Sequence, residues 1–131
     1  MIDINEYAEL IEMAKGAAEK AYAPYSDFTV GAAILTGSGK IYTGCNVENM
    51  SFGAAICAER TAAVKAVSEG ETEFVAIAVY HPGSDMPYPC GVCRQFLSEF
   101  GRRAVIIAAN ETGSEAFELR ELLPCSFEFR K

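Results

Sequence analysis

Apolar side chains follow helical spacing at the N-terminus and strand spacing after residue 27. The first pattern predicts a helix from Ile4 to about Ala21, because Pro24 cannot continue it. Its apolar stripe is rich in alanine and consists of Ile4, Ala8, Ile11, Ala14, Ala18 and Ala21. Two alternating stretches, FTVGAAILT and KIYTGCNV, flank the turn signal GSG at 37–39, so they predict an antiparallel hairpin.

The rest of the chain alternates between helix and strand patterns. The stretch ICAERTAAVKAVSEG at 56–70 predicts a helix that Gly70 ends, and CGVCRQFLSEF predicts another. FVAIAVY at 74–80 has no polar face, so it predicts a central strand covered on both sides, and AVIIAAN predicts a second buried strand. ELRELLPCSFEF predicts a short helix that stops at Pro124, followed by an aromatic tail. Strand–helix–strand units imply right-handed crossovers. We therefore predict an α/β fold, a three-layer α/β/α sandwich on a mixed sheet of about five strands.

Composition and charge narrow the function classes. A length of 131 residues, half of them hydrophobic, predicts a single domain over 1–131. A formal net charge of −7 argues against binding to nucleic acid and suits a small-molecule substrate. No apolar run approaches 18 residues and the N-terminal stretch is acidic, so we expect no membrane segment and a cytoplasmic location.

The cysteines are the candidate chemical groups. Five cysteines in a reducing compartment are expected to serve as metal ligands, nucleophiles or core residues rather than in disulfides. Cys90 and Cys93 form a C-x-x-C pair on the first turn of one predicted helix, and Cys57 begins another. Both helices start where a strand ends, which is where ligand crevices form in α/β sheets.

Three thiolates with one open position are typical of a catalytic zinc rather than a closed structural zinc. The open position would hold a water molecule, and Glu59 is placed to exchange protons with it without ligating the metal. Three thiolates would leave the site negatively charged, so we expect Arg60, in addition to Arg94, to donate hydrogen bonds to the sulfurs. A non-enzymatic alternative is a closed Cys₄ site completed by Cys45 or Cys125.

The motif CAE followed by PCGVCRQ resembles the signature of the zinc-dependent cytidine and deoxycytidine deaminases. YAPYSDFTVGAA, GCNVEN, CAERTAAVKAVSEG and LLPCSF extend the resemblance from about residue 20 to residue 127. The use of three cysteines is similar to the small homotetrameric branch. The resemblance implies a cytidine deaminase-like fold and a zinc-dependent hydrolase of pyrimidine salvage. Its reaction would convert cytidine and 2′-deoxycytidine to uridine and 2′-deoxyuridine with release of ammonia.

The resemblance also implies roles for individual residues. Cys57, Cys90 and Cys93 would bind one zinc ion per subunit, and Glu59 would shuttle protons. The substrate-binding residues it implies share a place around the nucleoside: Asn46 and Glu48 at the ribose 3′-hydroxyl, Phe28 against the pyrimidine ring, the backbone of Ala58 at the polar edge of the base, and Phe127 reaching into a neighbouring subunit's site. Because the 3′-hydroxyl is common to cytidine and deoxycytidine, these contacts do not rank the two.

Some residues depart from the pattern or lie outside it. Phe52 stands where many relatives carry Tyr, so a hydroxyl contact near the subunit boundary is expected to be missing. Cys45 and Cys125 are expected to be inert thiols, and His81 is expected to have a structural or solvent-facing role. Two substrate alternatives remain. One is a nucleic-acid base, which the acidity of the chain disfavours; the other is an aminonucleoside antibiotic of the blasticidin type, which the NVEN stretch disfavours.

Overall fold

The structure is a computed structural model that describes residues 2–129. After a 3₁₀ turn at Ile4–Tyr7, the helices are α1 Ala8–Ala18, α2 Ala58–Ser68, α3 Gly91–Gly101 and α4 Leu119–Leu122. The strands are β1 Gly31–Thr36, β2 Ile41–Cys45, β3 Phe74–Tyr80, β4 Val105–Ala109 and β5 Ser114–Glu118. A second 3₁₀ turn, Phe52–Ala54, lies in the connection between β2 and α2.

The five strands form one mixed sheet in the order β2-β1-β3-β4-β5. Strands β3 and β4 run parallel, and the pairs β1–β2, β1–β3 and β4–β5 are antiparallel. Helix α1 packs on one face of the sheet through Leu10, Ala14 and Ala18. Helices α2, α3 and α4 cover the opposite face. The predicted three-layer α/β/α sandwich with a central β3 is therefore confirmed.

Small residues bring the helices close to the sheet. Four alanines of α2 are fully buried: Ala58, Ala62, Ala63 and Ala66. A Cβ atom on Gly44 of β2 would stand 2.4 Å from the backbone nitrogen of Ala62, so only glycine allows α2 to approach this strand. On the other face, a Cβ atom on Gly31 of β1 would stand 2.0 Å from the carbonyl oxygen of Ala14 in α1.

The structure differs from the sequence expectation at three places. The first helix ends at Ala18 rather than near Ala21, and Leu10 rather than Ala8 belongs to its buried stripe. Strand β1 begins at Gly31, so Phe28 lies in the preceding loop. The strand patterns located four strands, and the structure adds β5, which pairs with β4 at the sheet edge. Among residues 2–129, no helix combines the length and the apolar character needed to cross a membrane.

Candidate active site and metal centre

Three cysteines converge where α2 and α3 begin. Cys57 precedes the first residue of α2, Cys90 precedes the first residue of α3, and Cys93 lies in the first turn of α3. Their sulfur atoms all lie within 4.8 Å of one another, and the Cys57 and Cys90 sulfurs are 3.7 Å apart. Neither helix has a side-chain cap at this end. The unpaired N–H groups of both first turns therefore leave positive partial charge beside the sulfurs, which favours thiolates.

When no metal is bound, hydrogen bonding shifts the pKa values of Cys57 and Cys93 in opposite directions. The hydrogen bond from Cys93, together with the Arg60 guanidinium, lowers the pKa of Cys57 to about 5. The same sulfur–sulfur hydrogen bond raises the pKa of Cys93. Arg60 donates from Nη2 to the Cys57 sulfur at 3.6 Å, and its buried Nε has no hydrogen-bond partner among residues 2–129. These contacts favour a thiolate at Cys57, with the Arg60 cation next to it.

This donor set fits zinc. Thiolate sulfur is a ligand that Zn²⁺ prefers, and three protein ligands leave a fourth tetrahedral position for water or substrate. The helix N-termini and Arg60 offset the negative charge that three thiolates would create. No fourth cysteine joins the cluster within the described residues, and the Cys45 thiol instead donates to the carbonyl oxygen of Lys20 at 3.5 Å.

Glu59 is the acid–base candidate beside the sulfurs. It lies in the first turn of α2, two residues after Cys57, and is only 4% exposed. Burial raises the pKa of its carboxyl group to about 7, and the Cys57 thiolate contributes in the same direction. A carboxyl group with a pKa near neutrality can both accept and return a proton at physiological pH.

A cavity of about 230 Å³ opens next to the sulfurs. It lies at the end of the strands where β2 and β3 finish and β1 begins. Its walls combine chemistry-bearing residues with apolar ones. The lining residues are Phe28, Val30, Asn46, Cys57, Ala58, Glu59, Val79, Pro87, Tyr88 and Cys90. The structure therefore brings four of the predicted substrate and catalytic residues, Phe28, Asn46, Ala58 and Glu59, into the same cavity as two of the predicted zinc ligands.

Asn46 and Glu48 organise the loop that carries Phe28. The Asn46 side chain accepts a hydrogen bond from the Val30 amide and donates one to the Phe28 carbonyl oxygen, both at 2.8 Å. Glu48 does not line the cavity, but its carboxylate accepts hydrogen bonds from the amides of Tyr25 and Ser26 and from the Ser26 hydroxyl. These bonds lower the pKa of Glu48, the hydroxyl of Ser26 contributing most. Each side chain keeps lone pairs or an N–H for a ligand.

Phe127 and Phe52 lie away from this cavity. Phe127 is 72% exposed, and its carbonyl oxygen accepts a hydrogen bond from Gln95 of α3 at 3.2 Å. Phe52 is 77% exposed and meets the ring of Tyr25 edge-on at 6.0 Å. Neither aromatic ring contributes to the cavity of its own chain.

Sequence reasoning missed several neighbours of the cavity. Val30, Val79, Pro87 and Tyr88 line it but were not singled out. Pro87 and Tyr88 lie just before Cys90, so their closeness to a predicted ligand was an available signal. His81 was expected to be structural or solvent-facing; it is 9% exposed and stacks on Phe28.

The α/β/α fold, the three-sulfur cluster and the buried glutamate define a zinc-dependent hydrolase. Residues 4–109 match the family model described as the cytidine and deoxycytidylate deaminase zinc-binding region, and the chain belongs to this family. It is 46% identical to a probable cytidine deaminase of Dictyostelium discoideum, over 94% of this chain and 84% of that protein. It is 45% identical to a cytidine deaminase of Sporosarcina psychrophila, over 91% of this chain and 89% of that protein.

A solved structure supports the same relationship. The cytidine deaminase of Burkholderia pseudomallei superimposes with a TM-score of 0.87 at 46% identity, over 91% of this chain and 97% of that chain. The family resemblance expected from the CAE and PCGVCRQ motifs is confirmed, as is the expected zinc cofactor.

Proposed function

We propose that the protein catalyses the hydrolytic deamination of cytidine and 2′-deoxycytidine to uridine and 2′-deoxyuridine with release of ammonia, using one zinc ion per subunit. The observation that carries the proposal is Glu59, a buried carboxyl group in the same cavity as Cys57, Cys90 and Phe28. A closed structural zinc site needs no proton-transfer group, so it would not account for a buried carboxyl group at this position. The family membership and the similarity to cytidine deaminases support the choice of substrate.

The proposed reaction assigns the proton transfers to Glu59. Cys57, Cys90 and Cys93 would hold the zinc ion, which would supply a Lewis acid that lowers the pKa of water toward neutrality. Glu59 accepts the two protons of the attacking water in turn. It gives the first to ring nitrogen N3 and the second to the amine on C4, which leaves as ammonia. A C4–O bond forms and the C4–N bond breaks, so water is consumed and ammonia is released in equal amounts. General acid–base help of this kind contributes roughly 100- to 10,000-fold.

Four further residues are assigned to substrate binding. We propose that Phe28 packs on the pyrimidine ring, that the backbone of Ala58 meets the polar edge of the base, and that Asn46 and Glu48 bind the ribose 3′-hydroxyl. Support comes from the place of Phe28, Asn46 and Ala58 in the cavity wall. Glu48 holds the same loop and is assigned to the ribose on the resemblance of the NVEN stretch.

The test is the ultraviolet absorbance of cytidine incubated with the zinc-loaded protein, run beside the Glu59→Gln variant. Glu69→Gln, the same change at the exposed end of the same helix, is the matched control. We expect the cytidine signal to fall with wild type and Glu69→Gln and to persist with Glu59→Gln, at equal zinc content. A stable signal with zinc-loaded wild type would refute the proposal; blasticidin S is then the substrate to try.

We also propose that Arg60 offsets the charge of the thiolates. Its hydrogen bond to the Cys57 sulfur supports this role, as does the buried Nε–H, which finds no partner in the described part of the chain. Arg60→Gln should lower zinc retention or turnover, and Arg60→Lys should lose less because the positive charge remains. Unchanged zinc content and turnover in Arg60→Gln would contradict the assignment.

The proposed assembly is a homotetramer whose sites are completed by Phe127 of a neighbouring subunit. Support comes from the resemblance to the homotetrameric branch and from the exposed apolar side chains Met50, Phe52, Phe127 and Phe129. Phe127→Ala should lower activity while the chain stays folded, and light scattering should give four subunits. A fully active monomer would contradict the proposal. We further propose a cytoplasmic location, in keeping with five free cysteines. The role in pyrimidine salvage is proposed on the family resemblance alone.

A further inference from the structure

The ring of His81 lies flat against the ring of Phe28. Their centroids are 3.7 Å apart and the ring planes differ by 12°. Phe28 lines the cavity whereas His81 does not, so the imidazole supports Phe28 from outside the cavity. Parallel rings at this distance are in van der Waals contact, which restricts rotation of the Phe28 side chain.

His81 is itself held rigidly. It follows the last residue of the central strand β3, and its amide donates to the carbonyl oxygen of Ala109 at the end of β4, at 3.1 Å. Its Nδ1 lies 2.8 Å from the carbonyl oxygen of Thr29. A carbonyl oxygen only accepts, so Nδ1 carries the hydrogen. On the other side, a Cβ atom on Gly83 would stand 2.6 Å from Nε2, so glycine there leaves room for the imidazole.

The backbone of Phe28 is fixed by other groups. Its amide donates to the Ser26 hydroxyl at 3.0 Å, and its carbonyl oxygen accepts from Asn46 at 2.8 Å. The residue before it, Asp27, has a φ of 60°, a left-handed conformation that is uncommon outside glycine. These contacts place the Cα of Phe28 but leave the direction of its ring undetermined. The stack on His81, in contrast, is a contact to the ring itself.

We propose that His81 is a positioning residue for substrate binding: its imidazole, fixed on the Thr29 carbonyl oxygen, holds the ring of Phe28 in the orientation that packs against the pyrimidine. The inference rests on the proposed function, since it needs a pyrimidine in the cavity. His81 touches no reacting atom, so its loss acts through Phe28. The expected consequence is a higher KM for cytidine with kcat little changed.

A double-mutant cycle tests this coupling. His81→Ala should raise KM by roughly 3- to 10-fold, the range expected for one aromatic stack. In the Phe28→Ala background, His81→Ala should change KM no further. Melting temperature and zinc content are measured for all four proteins. Equal effects of His81→Ala in both backgrounds would show that His81 acts independently of Phe28 and would overturn the inference.

Two conservative variants separate the ring from the hydrogen bond. His81→Phe keeps a ring for Phe28 and loses the bond to Thr29, whereas His81→Asn keeps a donor for Thr29 and loses the ring. We expect KM near wild type for His81→Phe despite a lower melting temperature, and a raised KM for His81→Asn. A raised KM that follows melting temperature instead would overturn the inference, because a merely structural role predicts that order. Because zinc-loaded wild type is assayed alongside, absence of turnover there would reject the proposed function, whereas turnover with no dependence on the His81 ring would reject only this inference.

Discussion

Gly44→Ala is expected to disturb the active site by displacing α2, the helix that positions Cys57 and Glu59. Gly44 lies in β2, and the added Cβ would stand 2.4 Å from the nitrogen of Ala62 and 2.8 Å from the carbonyl oxygen of Ala58. Both are backbone atoms of α2, so no side-chain rotation relieves the clash. Cys57 immediately precedes this helix and Glu59 is in its first turn.

The size of the displacement follows from these distances. An ordinary contact begins at 3.4 Å, so the first turns of α2 must move away by about 1 Å, the difference between 3.4 and 2.4 Å. A misplacement of about 1 Å can cost on the order of 100-fold in rate. Overpacking of this kind typically costs about 1–3 kcal/mol in the free energy of unfolding. Activity should therefore fall much further than the loss of folded protein explains.

The assay compares kcat on cytidine, zinc content and urea denaturation at a temperature where every variant is folded. Gly31→Ala is the matched control, since its Cβ would stand 2.0 Å from the Ala14 carbonyl oxygen in α1, on the opposite face of the sheet. It should cost at least as much stability as Gly44→Ala and leave kcat per folded, zinc-loaded molecule close to wild type.

Strand β2 is at the edge of the sheet, and this provides the refuting result. If β2 moves outward in place of α2, Gly44→Ala will be destabilised while its kcat and zinc affinity match those of Gly31→Ala. That outcome would show that the position of α2 is set by its contacts with α3 and the sheet interior rather than by the absence of a side chain at Gly44.

Three further outcomes follow from the same contacts. Gly16→Ala lies inside α1, where no heavy atom of residues 2–129 outside the helix backbone and the chain neighbours stands within 4 Å of the new Cβ. It should raise the free energy of unfolding by about 0.5–1 kcal/mol in urea titrations, and a loss of stability would contradict the open space. Glu48→Gln should be destabilising at pH 7, because the hydrogen bond from the Ser26 hydroxyl lowers the pKa of Glu48 in the folded state. Its stabilisation is present above the unfolded-state pKa and is lost as pH falls through the folded-state pKa, so an acid titration of stability in which the difference between the two proteins does not shrink would argue against it. Iodoacetamide should label the exposed Cys125 of the zinc-loaded protein and reach the three clustered cysteines only after a chelator removes the metal, as read by peptide mass spectrometry; equal labelling with and without chelator would exclude them as ligands.

The parts of the fold that the sequence predicted are those whose signals are local. The apolar run of β3 and the turn at 37–39 carry their own pattern, and both elements occur where expected. Strand β5 carries no such pattern, because SEAFE contains two glutamates and pairs on one side only, so its strand character depends on β4. The predicted end of α1 was wrong for a related reason. The alanines near residue 21 fit a helix, but the Tyr22 amide donates a hydrogen bond to the carbonyl oxygen of Asn46, a residue far away in the sequence.

The candidate site, too, was predictable only where the signals are local. Each of Cys57, Glu59 and the Cys90–Cys93 pair lies at the start of a helix that follows a strand, and that sequence position was enough to predict their convergence. The cavity wall was not predictable to the same extent. Tyr88 lines the cavity because of the path of the loop between β3 and α3, and its hydroxyl donates to Glu115 of β5 at 2.6 Å, a strand that the pattern did not reveal.

The alanines of α2 and the single glycine of β2, Gly44, connect the fold to the chemistry. A helix with four fully buried alanines lies on a strand with glycine beneath it, so α2 sits deep against the sheet. This close packing brings the N-terminus of α2 next to the N-terminus of α3, so that the Cys57 and Cys90 sulfurs are 3.7 Å apart. Larger side chains at these positions would bury more apolar area per residue but would lift α2 and separate the sulfurs. Small residues here therefore keep the sulfurs at the spacing of the metal centre. Substitutions that fill this interface should lower catalytic activity before they lower the stability of the fold.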